Sequence, residues 1–455
     1  MSSTGVNLNS MGLNSSTVSS GSGLDVTAVV NQILDAARGP ERLWQQQKGD
    51  LSTQTSALNG INSSLSALQN AMQALSDVSG VISSNVATSS QTGILTASAQ
   101  SGIASGTHFI TVNSLATTAS SYTDALATGD TTFQTGVITL KVGDTSTDVT
   151  VDGTNNTVSG LANAINSMNP GLTASVINDA TGVRLALVSK TSGAPGDLTV
   201  TGNTSGLTFH KSVAGQNASL TIDGVPISSA TNTVSGAIAG VTVNLASSAP
   251  NTPVQLSVAP NTSATSQAVS NFVSAYNTVI TAINSQFTVN ANTHAAGPLA
   301  ANSALRSLQS SLLSDVTYAM TGNNGYSSLA SFGISMANDG TLSVDSTTFN
   351  GVLTSNFSDV QNFFQQVSDG FGSHFSAGLM ALTSPTQGVL NAKLTEITAQ
   401  QEVLSDTITE FEDRLAAREQ LLIKQYSQID AMLRQYPLTL QTIAAQLATL
   451  QPAQK

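Results

Sequence analysis

The sequence predicts an α+β multidomain protein, with terminal α-helical coiled-coil legs contributed by both chain ends and β-rich outer domains inserted between them. Three observations predict this class. Apolar residues recur at helical spacing near both ends and alternate through the middle. The chain has 455 residues, which is enough for two to four domains with packed cores. Only 9% of the residues are charged, so the surface is expected to be mostly neutral and polar.

The amino-terminal segment combines Ser, Asn and Gly with few apolar anchors. We expect 1–22 to form a disordered arm, because such a segment buries too little surface to offset its ordering entropy. A helical pattern begins at Leu24 and is interrupted by Gly39 and Pro40. Trp44, the only tryptophan, follows this break, and packing at the break and contact with a partner are equally open interpretations for it.

A second helix carries an a/d heptad, the spacing of a coiled-coil seam. Its other positions are mostly Ser, Thr and Asn, which are poor helix formers, so we expect this helix to need a partner. The heptad positions are Leu58, Ile61, Leu65, Leu68, Met72 and Leu75.

The carboxyl end carries a matching heptad, in a helix expected from Asn391 to Tyr436 that Pro437 ends or kinks. Its positions are Leu394, Ile397, Leu404, Ile408, Phe411, Leu415, Leu422, Ile429 and Met432. We expect the amino-terminal heptad to pack against the members of this set up to Leu415. Pairing within one chain and pairing between subunits have about equal weight. A short amphipathic stretch then closes the chain with Leu440, Ile443, Leu447 and Leu450.

The middle of the chain alternates with a period of two between turn signals, which indicates β-strands. A single short helix is expected there, from Leu161 to Met168. Helical patterns return over 266–287 and 304–320. The expected strands are His108 to Val112, Val137 to Val142, Val149 to Val151, Arg184 to Val188, Leu220 to Ile222, Val241 to Leu245 and Val254 to Val258.

The sequence offers no catalytic, cofactor-binding or metal-binding set. The four histidines are far apart, and none has the spacing of a zinc-binding helix. The chain has no Cys, which excludes disulfides and thiol chemistry. A formal charge of −12 disfavours nucleic acid as a partner. No run of about 18 apolar residues occurs, so membrane insertion is not expected. We therefore expect a protein that is not an enzyme.

Several short motifs, in a fixed order, resemble those of the flagellar hook-associated protein 2 or filament cap family. Near the amino end the similar residues are Gly23-Leu24-Asp25. Further on they are GTHFITVNSLA over 106–116, RLALVSK over 184–190 and FVSAYN over 272–277. The likeness extends over nearly the whole chain.

This resemblance implies a secreted structural protein at the tip of the extracellular bacterial flagellum. Such a protein forms a homo-oligomer, contacts flagellin and promotes the folding and insertion of exported flagellin. The resemblance also implies passage through the flagellar type III export apparatus with the help of a cytoplasmic export chaperone. It leaves a host glycan or mucin open as a further partner. The heptad positions are then the expected assembly contacts. The expected flagellin contacts are Leu24, Asp25, Leu440, Ile443, Leu447 and Leu450.

The same resemblance suggests domain borders. We expect a terminal leg domain from 23–78 and 405–455, and a mixed helical domain from 79–105 and 261–404. An inner β domain is expected from 106–128 and 216–260, with an outer β domain nested in it over 129–215. Two other interpretations stay open. One is another flagellar axial protein, either a hook-filament junction protein or a flagellin. The other is a β-rich surface adhesin or glycan-binding protein, suggested by the neutral, Thr- and Asn-rich composition.

Overall fold

A computed structural model describes residues 24–289, 295–386 and 388–449. The expected disordered arm over 1–22 lies outside the described residues, as do His294 and Leu450. Helices form both ends of the described chain and strands form its middle, which confirms the α+β multidomain class.

Nine helices are described. They are α1 (Val26–Ala37), α2 (Gly39–Ser76), α3 (Val158–Met168), α4 (Thr262–Phe287), α5 (Ser303–Val316), α6 (Ser346–Ser355), α7 (Phe357–Gln365), α8 (Phe371–Thr383) and α9 (Val389–Thr449).

Seventeen strands are described. They are β1 (Asn85–Ser89), β2 (Leu95–Ala99), β3 (Gly106–Ser114), β4 (Thr118–Thr123), β5 (Gly136–Val142), β6 (Thr145–Val151), β7 (Leu172–Asp179), β8 (Gly182–Ser192), β9 (Leu198–Asn203), β10 (Phe209–Val213), β11 (Ala218–Ile222), β12 (Val225–Ser229), β13 (Thr233–Ile238), β14 (Val241–Leu245), β15 (Val254–Pro260), β16 (Ile334–Met336) and β17 (Leu342–Val344).

In the helical core, α2 packs against α4, α8 and the start of α9. This core contains the largest buried cluster of the described chain. Its centre is aromatic. The Phe272 ring of α4 lies 5.3 Å from the Phe375 ring and 6.0 Å from the Phe371 ring. Both contacts are edge-on, a geometry that aromatic pairs prefer. The Ser- and Thr-rich α2 is stable here because its apolar row is completely covered, although its intrinsic helix propensity is low.

An inner β domain is built from two sheets that share one apolar core. The first sheet has the strand order β1-β15-β3-β11-β12, and the second has the order β13-β14-β2. Alternate residues face the shared core, as in the pattern of Val254, Leu256 and Val258 on β15. This domain stands between the helical core and the rest of the β structure.

An outer β domain is built from the sheets β10-β4-β8-β7 and β6-β5-β9 together with α3. Thr157 caps α3 by accepting the Gly160 N–H, and Asn169 ends the helix in the left-handed conformation. The side chain of Asn166 bonds both the N–H and the C=O of Ala174 on the edge strand β7, at 2.8 and 2.7 Å. This pairing protects one residue of the sheet edge from other strands.

The two β domains are joined by a neck of two adjacent chain segments, one between β3 and β4 and one between β10 and β11. Thr117 ties these segments together. Its N–H donates to the C=O of Gln216 at 2.9 Å, and its hydroxyl donates to the C=O of Ala214 at 2.7 Å. Gly193 of the outer domain donates to the C=O of Thr117 at 3.0 Å.

Strand pairing differs from two of the expected borders. The expected borders place β1 and β2 in the mixed helical domain over 79–105, whereas these strands hydrogen-bond to β15 and β14 of the inner β domain. They also place β4 within the inner domain over 106–128, whereas β4 pairs with β8 and β10 of the outer domain. The reason is that apolar alternation indicates a strand but carries no information on which distant strand will pair with it.

The two proline positions behave differently. Pro40 lies in the first turn of α2, where a proline costs no helical hydrogen bond, so the break after α1 is a single residue. Pro437 does not end α9, since the helix continues to Thr449. At 61 residues, α9 is roughly 90 Å long.

Candidate assembly surface

The candidate assembly surface is organised by α9, which runs antiparallel to α2 and leaves the helical core with its carboxyl end. The Trp44 ring near the start of α2 lies 5.3 Å from the Phe411 ring in an edge-on contact. Leu51, two helical turns further along α2, lines the same groove as Leu404, which lies two turns before Phe411 on α9. The residue numbers therefore fall on α9 as they rise on α2.

The heptad of α2 lies entirely in the helical core. Its six apolar residues, expected as assembly contacts, are all buried there. From α9 they share this core with buried Ile397 and partly buried Leu394, and α4 and α8 cover the row as well. The members of the row are Leu58, Ile61, Leu65, Leu68, Met72 and Leu75.

The expected pairing of this row with Phe411 and Leu415 is wrong. Both residues belong to a separate cluster at the tip of the molecule, formed by α1 and α9. Because Trp44 contacts Phe411, Leu58 lies fourteen residues, or about 21 Å, further along α2. Leu404 and Ile408 are half-buried on the part of α9 between the two clusters.

The tip cluster consists of buried Val30 and Leu34 on α1 against buried Leu415 on α9, with Phe411 and Leu422 partly buried beside them. One side of α9 is thus covered by α1 over about three turns. This cluster is small compared with the helical core.

Two hydrogen bonds fix where α1 begins on α9. The N–H of Leu24 donates to Asp430 Oδ1 at 2.7 Å, and Arg434 Nε holds the other oxygen of that carboxylate at 2.8 Å. Asp25 accepts the N–H of Ala28 at 3.0 Å and so caps α1. Leu24 and Asp25, expected as flagellin contacts, therefore have local roles at the start of the helix.

Beyond the tip cluster the apolar face of α9 is exposed. Every seventh residue on this face is apolar, from Leu415 and Leu422 under α1 to Ile429, Tyr436 and Ile443 beyond it. The last three are 42%, 70% and 47% exposed. A helix rotates by about 700° in seven residues, so these positions stay on one side with a slow drift.

We call the exposed continuation of this face the distal stripe. No charged residue occurs between Gln435 and Thr449. The distal stripe therefore joins large apolar side chains to a neutral surface, a combination typical of an interaction site rather than of solvent-facing helix. It consists of Ile429, Met432, Leu433, Tyr436, Leu440 and Ile443.

The distal stripe contains four of the residues singled out from sequence: Leu440 and Ile443 from the closing stretch, and Ile429 and Met432 from the heptad. Leu447 belongs to α9, and Leu450 lies outside the described residues. Sequence reasoning missed Tyr436 and the anchor Asp430. The seven-residue spacing through Tyr436 could have identified the first, but the prediction that Pro437 breaks the helix concealed it.

Both histidines of the described β domains pair with a carboxylate at the surface. His108 Nδ1 lies 2.7 Å from Asp223 Oδ2, and His210 Nε2 lies 2.8 Å from Asp124 Oδ1. The N–H of Phe109 and then His108 hold the pKa of Asp223 below its usual range. Each histidine is thus held by a carboxylate next to it on a folded sheet, which is a structural arrangement.

One carboxyl group of the helical core has a pKa shifted in the opposite direction. Asp315 belongs to α5 and faces α8, where burial raises the pKa of its carboxyl group although His374 lies 3.5 Å away. The His374 ring stacks on Tyr318 at 3.9 Å. Over the described residues no group of His, Asp and Glu side chains is arranged to hold a metal ion. No helix in the same residues is long and apolar enough to span a membrane.

Three family matches cover most of the chain. Residues 22–119 match the flagellar hook-associated protein 2 N-terminus, and residues 215–437 match the flagellar hook-associated protein 2 C-terminus. Residues 137–191 match the flagellin hook IN motif, which lies within the outer β domain.

Relatives of similar length are known. The B-type flagellar hook-associated protein 2 of Pseudomonas aeruginosa is 31% identical over 463 residues, covering 94% of this chain and 96% of the relative. A flagellar hook-associated protein 2 of Aeromonas caviae is 28% identical and covers 95% of this chain and 97% of its own length.

A solved structure shares the fold. The crystal structure of the D1-D2-D3 domains of the flagellar cap protein FliD from Escherichia coli superimposes with a TM-score of 0.59 at 26% identity. The match covers 75% of this chain and 99% of that one.

Proposed function

Since the chain belongs to the flagellar hook-associated protein 2 family, a family of structural flagellar cap proteins, we propose that it caps the distal end of the bacterial flagellar filament. In this role it forms a homo-oligomer, and exported flagellin folds and inserts beneath it. The observation that supports the assembly role most directly is the distal stripe, an exposed apolar face at the far end of a helix anchored in a closed core.

Each part of the molecule then has its own task. The helical core and the β domains form the body of the cap, and the distal part of α9 forms a leg that contacts flagellin. In the domain division that we propose from the strand pairing, the body is a helical core with the inner β domain inserted in it, and the outer β domain inserted in turn. The short paired connections between these units keep them close to one another.

Export is part of the same proposal. The chain passes through the flagellar type III export apparatus in an unfolded state, delivered by a cytoplasmic export chaperone, and folds outside the cell. The absence of Cys agrees with this route, because no premature cross-link can form in a chain that must remain threadable.

Complementation of a deletion strain tests the cap role. Deletion of the gene is expected to release unpolymerised flagellin into the medium, and the full chain restores filaments. A chain that lacks 440–455 is expected to be exported and folded but to leave flagellin unpolymerised. Normal filament growth with this truncation would contradict the leg proposal.

Two leucines give a matched pair of point variants. Leu440 belongs to the distal stripe and Leu438 does not, because two residues on a helix are about 200° apart around its axis. Both are exposed, at 57% and 64%. Leu440→Ser is expected to reduce motility and filament length, whereas Leu438→Ser leaves both near the wild-type level. Equal effects of the two changes would mean that the stripe is not the contact.

Self-association is tested on the purified full chain. Sedimentation velocity over a range of concentrations is expected to show a defined oligomer, with the β domains folded throughout. A monomer at every concentration would contradict the oligomeric cap and leave only the family membership.

A further inference from the structure

The free edge of β7 is the longest uninterrupted strand edge in the β domains that the structure describes. β7 has eight residues and pairs with β8 without a register shift from Leu172 to Asp179. No described strand pairs with its other side. A regular edge of this kind presents a row of backbone N–H and C=O groups to which a further strand can bond.

The hydrogen bonds of Asn166 show which backbone groups of β7 point to the open side. Its side chain bonds both the N–H and the C=O of Ala174 from that side, at 2.8 and 2.7 Å. Backbone groups in an antiparallel pair point alternately towards and away from the partner strand. The N–H and C=O groups of Val176 and Asn178 therefore point to the open side as well.

The opposite strand has the same alternation. Val183 lies opposite Asn178, but it exchanges both of its backbone hydrogen bonds with Leu126, at 2.8 Å each. Val183 is thus not the hydrogen-bond partner of Asn178. Within the described residues, no strand or side chain bonds the open-side groups of Val176 and Asn178.

The other strand edges of the described β domains are interrupted, closed or covered. β9, β10 and β13 each shift register against the neighbouring strand. β12 contains Pro226, which has no N–H to donate. On β6, Asn155 donates to the C=O of Thr150 at 2.9 Å and Asp148 places a charge in mid-strand. β1 and β2 lie next to each other. Among the described edges, the one available to β7 is therefore β7 of a second copy.

We propose that β7 pairs with β7 of a second copy, antiparallel and about a twofold axis that passes between the two Ile177 residues. The open groups set this register. With Val176 opposite Asn178 of the partner subunit, both residues bond in both chains, which gives four backbone hydrogen bonds. The proposal goes beyond the capping role, because the contact lies in the outer β domain and does not involve α9.

The side chains near the axis suit this contact. Ile177 is 50% exposed and would pack on Ile177 of the partner subunit. No charged residue occurs over 172–178. Asp179 would lie opposite Ser175, and its carboxylate is already paired with Arg184 at 2.7 Å. No like charges therefore meet across the pair.

Asn166 limits the contact without obstructing it. In the proposed register, Ala180 of the partner subunit lies opposite Ala174. Ala180 belongs to the turn that follows β7, so the partner strand ends before it reaches the Asn166 side chain. The pairing is thereby confined to the end of the β7–β8 hairpin. A contact that uses the same surface on both subunits joins them in pairs.

Single engineered cysteines test the register, because the native chain has none. In the proposed pair the two Cα atoms at position 177 are about 4.5 Å apart, which a disulfide can bridge. The full chain with Ile177→Cys is left to oxidise in air, and disulfide-linked dimers are followed on non-reducing gels. The matched control is Ser175→Cys, which is exposed on the same face of β7. The two copies of position 175 would be about 14 Å apart, too far for a disulfide.

Disulfide-linked dimers are expected to form at least about tenfold faster with cysteine at position 177 than at position 175. Equal rates would overturn the proposal, because they would mean that the hairpins only collide. A faster reaction at position 175 would overturn it as well, since the strands would then pair in a different register or not at all.

Amide hydrogen exchange of the unmodified chain gives an independent measurement. Exchange at Val176 and Asn178 is expected to slow by about tenfold between dilute and concentrated solution, because their N–H groups become bonded. Asp148 on the edge of β6 is the comparison within the same chain. Unchanged exchange at Val176 and Asn178 would overturn the proposal, and so would equal slowing at Asp148. Both experiments report on the outer β domain alone, so their outcome does not depend on whether the chain caps a filament.

Discussion

The two ends of α9 carry the same apolar spacing but differ in what covers it. In the first part of the helix, Ile397 is completely buried by the helical core. In the last part, Ile443 belongs to the same kind of heptad and is nearly half exposed. A heptad therefore predicts that one face of a helix is covered, but it does not identify the segment that covers this face. A helix of the same chain, a second chain or a terminal segment can each supply it.

The largest effect is expected from one substitution made in both parts. Ile397→Ala removes a completely buried side chain and should lower the free energy of unfolding of the helical core by about 2 to 5 kcal/mol. Ile443→Ala should change that free energy by less than about 0.5 kcal/mol. Urea unfolding followed by circular dichroism measures both. Similar losses would show that the distal part of α9 unfolds together with the core.

The tip cluster should give an intermediate effect, because α1 covers α9 there with few residues. Leu34→Ala opens a small buried cluster, and we expect a loss of about 2 kcal/mol in the local stability of α1. Hydrogen exchange of α1 measures it, with exposed Leu43→Ala as the control. If Leu34→Ala also lowers the protection of α4, the tip and the helical core form one cooperative unit.

A smaller effect is expected at the anchor between Leu24 and Asp430. Asp430→Ala removes the acceptor of the Leu24 N–H hydrogen bond, worth about 0.5 to 1.5 kcal/mol, and also the ion-pair partner of the exposed Arg434 side chain. Amide exchange at the start of α1 should increase. Asp430→Asn keeps a side-chain carbonyl oxygen and is expected to retain most of the protection. An effect of Asp430→Asn as large as that of Asp430→Ala would mean that the charge pair with Arg434 carries the anchor.

The smallest expected effect is a pH dependence of stability, which should be present in the helical core and absent from the distal part of α9. Burial raises the folded-state pKa of Asp315 above its unfolded value near 3.9, so the folded state binds this proton more tightly. The Asp315 carboxyl group therefore raises the free energy of unfolding of the helical core as the pH falls through the folded-state pKa. This contribution is lost as the pH rises through that pKa.

The difference between wild-type and Asp315→Asn isolates this contribution, because the variant lacks the titration. Unfolding free energies at pH 5 and pH 7.5 measure it. The segment 437–449 contains no titratable side chain, and its exchange, corrected for the intrinsic rate, should not depend on Asp315. A stability difference that grows towards high pH in favour of the wild type would contradict the assigned direction of the pKa.

Much of the fold could be predicted from local patterns. The expected strands from His108 to Val112 and from Val254 to Val258 fall within β3 and β15, and the expected helix from Leu161 to Met168 falls within α3. These elements depend on alternation and helical spacing, which lie within a few residues of sequence. The family resemblance is confirmed by matches over 22–119 and 215–437.

The remaining errors concern partners and not elements. β4 pairs with β8 and β10 of the outer domain, because strand pairing is decided by distant residues. Phe411 contacts Trp44 and the tip cluster, because the antiparallel register of α2 and α9 cannot be obtained from either heptad alone. Leu404 and Leu415 carry equivalent heptad signals and meet different neighbours for the same reason.

The neck at Thr117 has a consequence for how such proteins vary. Both connections to the outer β domain leave the inner domain side by side and are held together by Thr117 before the outer domain begins. Because the enclosed polypeptide begins and ends at neighbouring points, we expect the body to tolerate changes in its length or its exchange for a different module. Thr117 thus marks a natural grafting position, where an epitope or a reporter protein could replace 118–213 and be carried on an otherwise unaltered body.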